Sequence, residues 1–199
     1  MNELKMRPVG AKRIRISGIH PLLAVCLQEM PAILELRDKT PAHERLFPPL
    51  TANDRLANAE WQESIEPDLR HLFVSAGETV TRDLTGLSPQ PREPKRSCVT
   101  IPIAHVSAWM SAVNQARLIL GAMFGIANER DMLLTTFDSR NPKQVAIIKI
   151  ELLGELLARF VDLETGEVTA SVRGRRPSGK TGRRAARRKN STPQKRPEK

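Results

Sequence analysis

The spacing of apolar residues along the chain predicts a mainly helical protein. Apolar positions recur every three or four residues over about 21–38, 64–85 and 105–124, which is the period of a helix with one buried face. The stretch from about 141 to 165 is apolar around most of its circumference, which predicts a central helix or one that buries a second face in an oligomer. With shorter helical segments after Thr40 and before Trp61, the pattern favours an irregular bundle of about five helices.

Two short segments have the pattern of β-strands. Residues 13–17 alternate charged with β-branched or small side chains, and residues 98–103 are mostly β-branched, with Pro102 confining them to an edge or a strand end. We predict that the two segments pair as a short two-strand ribbon packed on the helices. The pattern further predicts a loose N-terminal arm over residues 1–11 and a helical domain over residues 12–166, interrupted by a Pro-rich linker at 88–96.

Polar, Pro and Gly residues at the ends of the apolar stretches predict helix boundaries. We expect Thr51 or Asn53 to cap the helix before Trp61, and Ser64 to open the helix that follows. Gly125 is placed to end the 105–124 helix, and Pro142 lies in the first turn of the last helix, where a missing N–H costs nothing.

Charge is divided unevenly along the chain. Residues 173–199 hold 12 of the 32 Lys and Arg residues and one acid, Glu198, so this segment carries a charge of +11. Residues 1–172 carry −1, which accounts for the net charge of +10. The segment from 167 to the end has no large apolar residue beyond Val168 and Val172, which predicts a disordered tail. Because residues 1–172 are nearly neutral, nothing in the sequence indicates that the folded domain binds through a basic surface.

The basic tail predicts salt-sensitive, sequence-independent affinity for phosphates, hence for nucleic acid. It has no aromatic residue to stack on bases, so base-specific recognition is not expected. A solubilising extension is an equally good interpretation. The candidate phosphate contacts are Arg173, Arg175, Arg176, Lys180, Arg183, Arg184, Arg187, Arg188 and Lys189.

No motif in the sequence predicts catalysis, a cofactor or a metal. Residues 174–181 match the Walker A pattern, but no apolar helix follows and too few residues remain for a parallel sheet, so we interpret the match as chance. The four histidines lie in separate segments without metal-ligand spacing. We therefore expect a protein that is not an enzyme.

The two cysteines, Cys26 and Cys98, are too few for a disulfide framework, and a reduced cytoplasm is the expected compartment. We favour two buried, inert thiols over a reversible disulfide. The N-terminal apolar run is short and begins with His20 and Pro21, so we expect a core helix there rather than an export signal. No apolar run approaches the roughly 20 residues of a membrane span.

The candidate functional site of the domain, either a polar network or a partner site, consists of Arg70, His71, Trp109, Asn114 and Arg117. Asn114 and Arg117 are neighbours on one helix face beside the apolar stripe that contains Trp109, and Arg70 and His71 lie on the preceding long helix. A buried Arg must find acceptors, because burial of an isolated charge is costly. We favour a structural network with acids of the 64–85 helix over a ligand or partner site.

Several of these residues resemble an uncharacterised bacterial domain-of-unknown-function family best known from actinobacteria. The resemblance covers about residues 12–163, and its most specific part is the helix containing Trp109, Asn114, Arg117 and Leu118. It also includes the Arg-Leu-Phe-Pro motif at Arg45. The resemblance implies a mainly helical fold without an established enzymatic activity, and some members are described as transcription regulators under oxidative stress. This chain has no closely spaced N-terminal cysteine pair.

Three functional hypotheses follow from the sequence. The favoured one is a non-catalytic regulatory or scaffolding domain that binds a protein partner or a second copy of itself, with the tail adding phosphate affinity. The first alternative is a transcription regulator, redox-responsive or not, that binds DNA through its fold; it needs a basic helix face, which residues 1–172 lack. The second is an enzyme or small-ligand protein with one pocket at Arg70, His71, Asn114 and Arg117.

Overall fold

The computed structural model describes residues 4–35, 40–133 and 136–165, without the side chain of Glu129. Over this part of the chain the fold is mainly α with one small antiparallel sheet, as predicted. The elements in chain order are β1 (Lys5–Val9), β2 (Arg13–Ile19), α1 (Pro21–Ile33), α2 (Pro41–Leu46), α3 (Arg55–Ser64), α4 (Glu66–Leu84), β3 (Ser88–Pro89), β4 (Ser97–Pro102), α5 (Val106–Met123) and α6 (Pro142–Glu164).

The predicted pairing of the two β segments is confirmed. Strands β2 and β4 are antiparallel, with Ile14 opposite Ile101 and Ile16 opposite Val99. These four side chains are almost completely buried, whereas Arg13 and Arg15 between them are exposed. The period of two along each strand therefore turns one face of the sheet onto the helices.

The sheet has four strands in the order β1-β2-β4-β3, rather than the two predicted. The expectation of a loose arm over residues 1–11 is wrong for β1, which pairs with β2 along its whole length and buries Met6, and Leu4 just before it is buried too. An unpaired β2 edge would leave backbone groups without partners, and β1 supplies them. On the other side, Ser88 and Pro89 of the predicted linker pair with β4.

Helices α3 and α4 are two halves of one helical path that bends at Ile65. The helical hydrogen bonds continue through the junction, from the Ile65 N–H to the Trp61 carbonyl and from the Leu69 N–H to the Ile65 carbonyl. Pro67 has no N–H to donate and crowds the preceding turn, which is the physical reason for the break. The expectation that Ser64 opens α4 is therefore wrong, since Ser64 is the last residue of α3.

The residue that caps α3 was also misassigned from the sequence. Asp54, rather than Thr51 or Asn53, accepts a hydrogen bond from the Ala57 N–H at 3.0 Å. The Thr51 hydroxyl instead accepts a hydrogen bond from the N–H of Asp54, the residue that caps the helix. Both are N-cap chemistries, so the neighbouring candidates could not be separated by residue type alone.

Trp109 of α5 lies at the centre of the core and is completely buried. Its ring lies 5.9 Å from that of Phe160 on α6, and its indole N–H donates to Asp83 Oδ2 of α4 at 2.9 Å. Helix α5 packs on α2, α4 and α6, so it is the central element of the bundle. Among the described helices, none combines the length and the apolar composition that crossing a bilayer requires.

We predict that Trp109→Phe lowers the free energy of unfolding by about 2–3 kcal/mol, because it removes a hydrogen bond to a buried carboxylate and some ring volume. The measurement is urea denaturation. Trp61→Phe is the matched control, because Trp61 is half-buried and none of its described contacts is a side-chain hydrogen bond. Equal losses in the two variants would contradict a special role for the Asp83 contact.

Candidate functional site

An open cavity of about 480 Å³ lies along one face of α5. The helix contributes residues at positions i, i+3, i+4, i+7 and i+8, which is the spacing of a single face. Helix α2 adds Arg45, and α6 adds Ile150. The lining residues are Arg45, Asn114, Arg117, Leu118, Gly121, Ala122, Gly125, Ile126, Ala127, Asn128, Met132 and Ile150.

The far wall of the cavity exists because α5 ends in a left-handed glycine. Gly125 has φ of 60°, which costs glycine little, and it confirms the predicted helix end. The N–H of Ile126 then donates to the Gly121 carbonyl at 2.8 Å, and that of Gly125 to the Ala122 carbonyl at 3.4 Å. This Schellman motif turns the chain back along the helix and places residues 126–128 against it.

Asp131 holds that wall in place. Its Oδ2 accepts the N–H of Ala127 at 3.0 Å and that of Asn128 at 3.3 Å. The hydrogen bond from the Ala127 N–H is the main reason that the pKa of Asp131 lies below its ordinary value. Desolvation raises this pKa, and the Asn128 N–H and Lys143 lower it to a smaller extent. The carboxylate of Asp131 is therefore ionised at neutral pH and committed to the loop.

Arg117 is the unusual residue of the cavity. Its Nε is buried, and none of the described residues makes a hydrogen bond to that atom. Gly154 of α6 lies under the guanidinium, since a Cβ at that position would lie 3.5 Å from Nε and 3.6 Å from Cζ. The guanidinium therefore packs against the backbone of α6, which gives its Nε no hydrogen-bond acceptor.

The chemistry of the cavity is that of an anion-binding site. Two arginines and two asparagines, Asn114 and Asn128, line it, and no acidic side chain stands among its described lining residues. A partly desolvated guanidinium gains from a counter-charge, and a carboxylate or other oxyanion in the cavity would supply it through charge-assisted hydrogen bonds to the Arg117 side chain. Arg45 is exposed at its position on α2 and adds a second positive charge.

The structure separates the five residues proposed from the sequence. Asn114 and Arg117 line the cavity together, but Arg70 and His71 do not line it. His71 is exposed on α4. Trp109 lies in the core. The hypothesis of one pocket formed by Arg70, His71, Asn114 and Arg117 is therefore wrong, because α4 and α5 direct these side chains to different places.

A network between α5 and an acid of α4 does exist, and of the candidate residues Trp109 takes part in it, whereas Asn114 and Arg117 do not. Asp83 accepts from the Trp109 indole at 2.9 Å and lies 2.9 and 3.1 Å from His105 Nδ1. The Asp83 side chain is 9% exposed, so its charge is compensated by these contacts. The prediction was correct in the pair of helices and wrong in assigning the contact to Asn114 and Arg117.

Arg70 belongs to a second closed cluster. Its guanidinium lies 2.8 Å from His43 Nε2 and 3.2 Å from Glu66 Oε1, and 5.4 Å above the Phe47 ring. His43 Nε2 is itself 3.0 Å from Glu66 Oε1. The cluster joins α2 to the start of α4, and its members satisfy one another, which is typical of a structural role.

Sequence reasoning missed Arg45 as a lining residue and missed Asp83, His105, His43 and Glu66 as partners. Arg45 had a usable signal, because it begins the Arg-Leu-Phe-Pro motif of the family resemblance. The other four had none, since a lone acid or histidine on a helix gives no indication of which distant residue it will meet.

The cysteines are buried and not bonded to each other, as favoured from the sequence. Burial raises the pKa of Cys26 to about 11, with Lys149 lowering it and Glu29 raising it to a smaller extent. The Cys26 thiol is therefore protonated at neutral pH, which makes it a poor nucleophile. Within the described ranges, no group of three His, Cys, Asp or Glu residues is placed to hold a metal ion.

We predict that Arg117→Met leaves the free energy of unfolding within about 1 kcal/mol of the parent or raises it, because the guanidinium has no compensating partner to lose. Glu66→Met is the contrasting variant and should cost about 3 kcal/mol or more, since it leaves Arg70 and His43 without their shared acceptor. Chemical denaturation measures both. A loss for Arg117→Met as large as that for Glu66→Met would make Arg117 a structural residue.

The predicted phosphate contacts of the tail, from Arg173 to Lys189, and the Walker A match at 174–181 lie outside the described residues. A search of curated proteins and a search of solved structures find no match to the chain. One family model matches residues 22–164, which includes α1 to α6, the cavity and both polar clusters. The chain therefore belongs to the family described as a domain of unknown function (DUF2017).

Proposed function

We propose that this chain is a non-catalytic regulatory domain that recognises an oxyanion, presented by a ligand or a protein partner, in the cavity at Arg117. The observation that carries the proposal is that Arg117, whose Nε has no hydrogen-bond acceptor among the described residues, lines an open cavity together with Arg45 and Asn114. Polar groups that serve only the fold are normally satisfied within it, as Asp83 and Glu66 are. Arg117 is arranged for a group that the described residues do not supply.

The composition of the lining supports binding rather than catalysis. The described lining residues include no Ser, Thr, Cys, His, Lys, Asp or Glu, the side chains that usually act as nucleophile, acid or base. His43 and His105 are each paired with a carboxylate in clusters apart from this cavity. An oxyanion held by Arg117 and Asn114 would thus meet no described group able to transform it.

Binding at this cavity can be coupled to regulation through α5. The helix carries both Trp109 of the core and Arg117 of the cavity, and the Schellman turn at its end forms one wall. A ligand that pairs with Arg117 and presses on Ile126 stabilises this turn and the loop behind it. A partner protein or a second copy of the chain that contacts the loop would sense occupancy, in agreement with the regulatory or scaffolding role favoured from the sequence.

The tail contributes separately to the proposal. Its cations, from Arg173 onward, would add nonspecific affinity for phosphate-rich partners such as nucleic acid, weakened steeply by salt. The near-neutral balance of residues 1–172 supports a division of labour in which the fold carries selectivity and the tail carries electrostatic attraction.

We predict that acetate raises the melting temperature of the full chain relative to chloride at equal ionic strength, because an anion that binds the folded state stabilises it by mass action. Arg117→Gln should abolish the increment, and Arg13→Gln should preserve it, because Arg13 is an exposed residue of β2 outside the cavity. The measurement is differential scanning calorimetry over an acetate titration. An increment that survives Arg117→Gln, or no increment with acetate, inorganic phosphate or longer carboxylates, would overturn oxyanion recognition.

We predict that the full chain binds a duplex DNA probe with an affinity that falls steeply as salt rises, and that replacing Arg183, Arg184, Arg187 and Arg188 by Gln weakens binding and flattens the salt dependence. Fluorescence anisotropy across a salt series measures both. The matched control removes four exposed charges from the fold, at Lys12, Arg55, Arg92 and Lys95. Equal weakening in the two quadruple variants would contradict a tail-based anchor.

A further inference from the structure

We propose that the oxyanion bound at Arg117 is the carboxylate of a small amphipathic organic acid, whose apolar body lies along the α5 face between Leu118 and Ile126. The inference rests on the proposed function and specifies its ligand. It draws on three features of the cavity. These are its size, the distribution of polar and apolar groups along it, and the fact that the backbone N–H groups of its wall already have hydrogen-bond acceptors.

The cavity is larger than a bare anion needs. Its volume is about 480 Å³, within the range of roughly 300–1,000 Å³ that holds organic ligands and many times the roughly 30 Å³ of a water molecule. The small residues Gly121, Ala122 and Gly125 keep this space open beside the helix. A carboxylate alone would leave most of it filled by water against apolar walls.

Polar and apolar groups are arranged in order along α5. Asn114 and Arg117 lie one turn apart, and beyond them the face continues with Leu118, Gly121 and Ala122 to the wall at Ile126. From position 114 to position 122 the helix rises about 12 Å, at 1.5 Å per residue. A ligand with its carboxylate at the Arg117 end would lay a chain or ring of several carbons along the remainder, with Met132 and Ile150 as further apolar contacts.

The backbone of the cavity wall argues for a carboxylate rather than a phosphate. Phosphate sites usually present several free backbone N–H groups to the three anionic oxygens. Here the N–H groups of Gly125 and Ile126 donate to α5 carbonyls, and those of Ala127 and Asn128 donate to Asp131. The donors left are the side chains of Arg117, Arg45 and the two lining asparagines, Asn114 and Asn128, and an arginine fork can pair with the two oxygens of one carboxylate.

The test is isothermal titration calorimetry of the full chain with acetate, butyrate, hexanoate, inorganic phosphate, hexanol and a short blocked peptide of Asp and Glu, at constant ionic strength. We expect affinity to rise about three- to fourfold with each added methylene until the apolar part of the cavity is filled. Hexanol, which has the apolar body without the charge, and phosphate, which has the charge without the body, should both bind much more weakly than hexanoate.

Two variants separate the parts of the site. Arg117→Gln should remove binding of every carboxylate. Met132→Gln should weaken hexanoate binding severalfold more than acetate binding, because it places an amide on an apolar wall that the longer acid contacts. Met123→Gln is the matched control, since Met123 is 60% exposed on the same helix and does not line this cavity.

Each outcome distinguishes this inference from the function on which it rests. Equal binding of acetate, hexanoate and phosphate, all lost in Arg117→Gln, would overturn the amphipathic ligand and keep oxyanion recognition. Binding of the acidic peptide with no chain-length effect among the carboxylates would overturn it in favour of a protein partner. No binding by any oxyanion would overturn the inference and the proposed function together.

Discussion

The buried indole of Trp109 is the constraint on which the rest of the structure depends. A completely buried N–H must find an acceptor, and Asp83 at the end of α4 provides it while also pairing with His105. The contacts from Trp109 and from His105, the residue just before α5, then meet a single carboxylate, which fixes how α5 lies on α4. Because α5 also packs on α2 and α6, this one arrangement sets the orientation of the whole bundle.

That orientation decides where the remaining polar face of α5 points. With Trp109 turned to Phe160 and Asp83, the face that carries Asn114 and Arg117 opens toward the loop after α5 rather than toward an acid of α4. The left-handed Gly125 turns the loop back to close the far end. The cavity is therefore a consequence of core packing combined with the turn at the end of α5.

Much of the fold could be predicted because its elements have strong local signals. The helical stripes of α4, α5 and α6, the pairing of residues 13–17 with 98–103 and the turn at Gly125 follow from periodicity and turn chemistry. The errors have local causes too. Residues 5–9 lack a clear alternation because the non-polar Pro8 and Val9 are adjacent, and Ser64 and Asp54 are each one of several neighbouring residues able to cap a helix.

The sequence by itself determined the fold class, the near-neutral charge of the domain, the cationic tail and the neighbouring positions of Asn114 and Arg117, because composition and helical spacing are local properties. Only the tertiary structure decided which charges meet. In the folded chain Asp83 contacts Trp109 and His105, and Glu66 contacts His43 and Arg70. The buried Nε of Arg117, a residue that lines an open cavity, has no acceptor among the described residues. Such pairings depend on how distant segments pack, and no spacing within one helix encodes them.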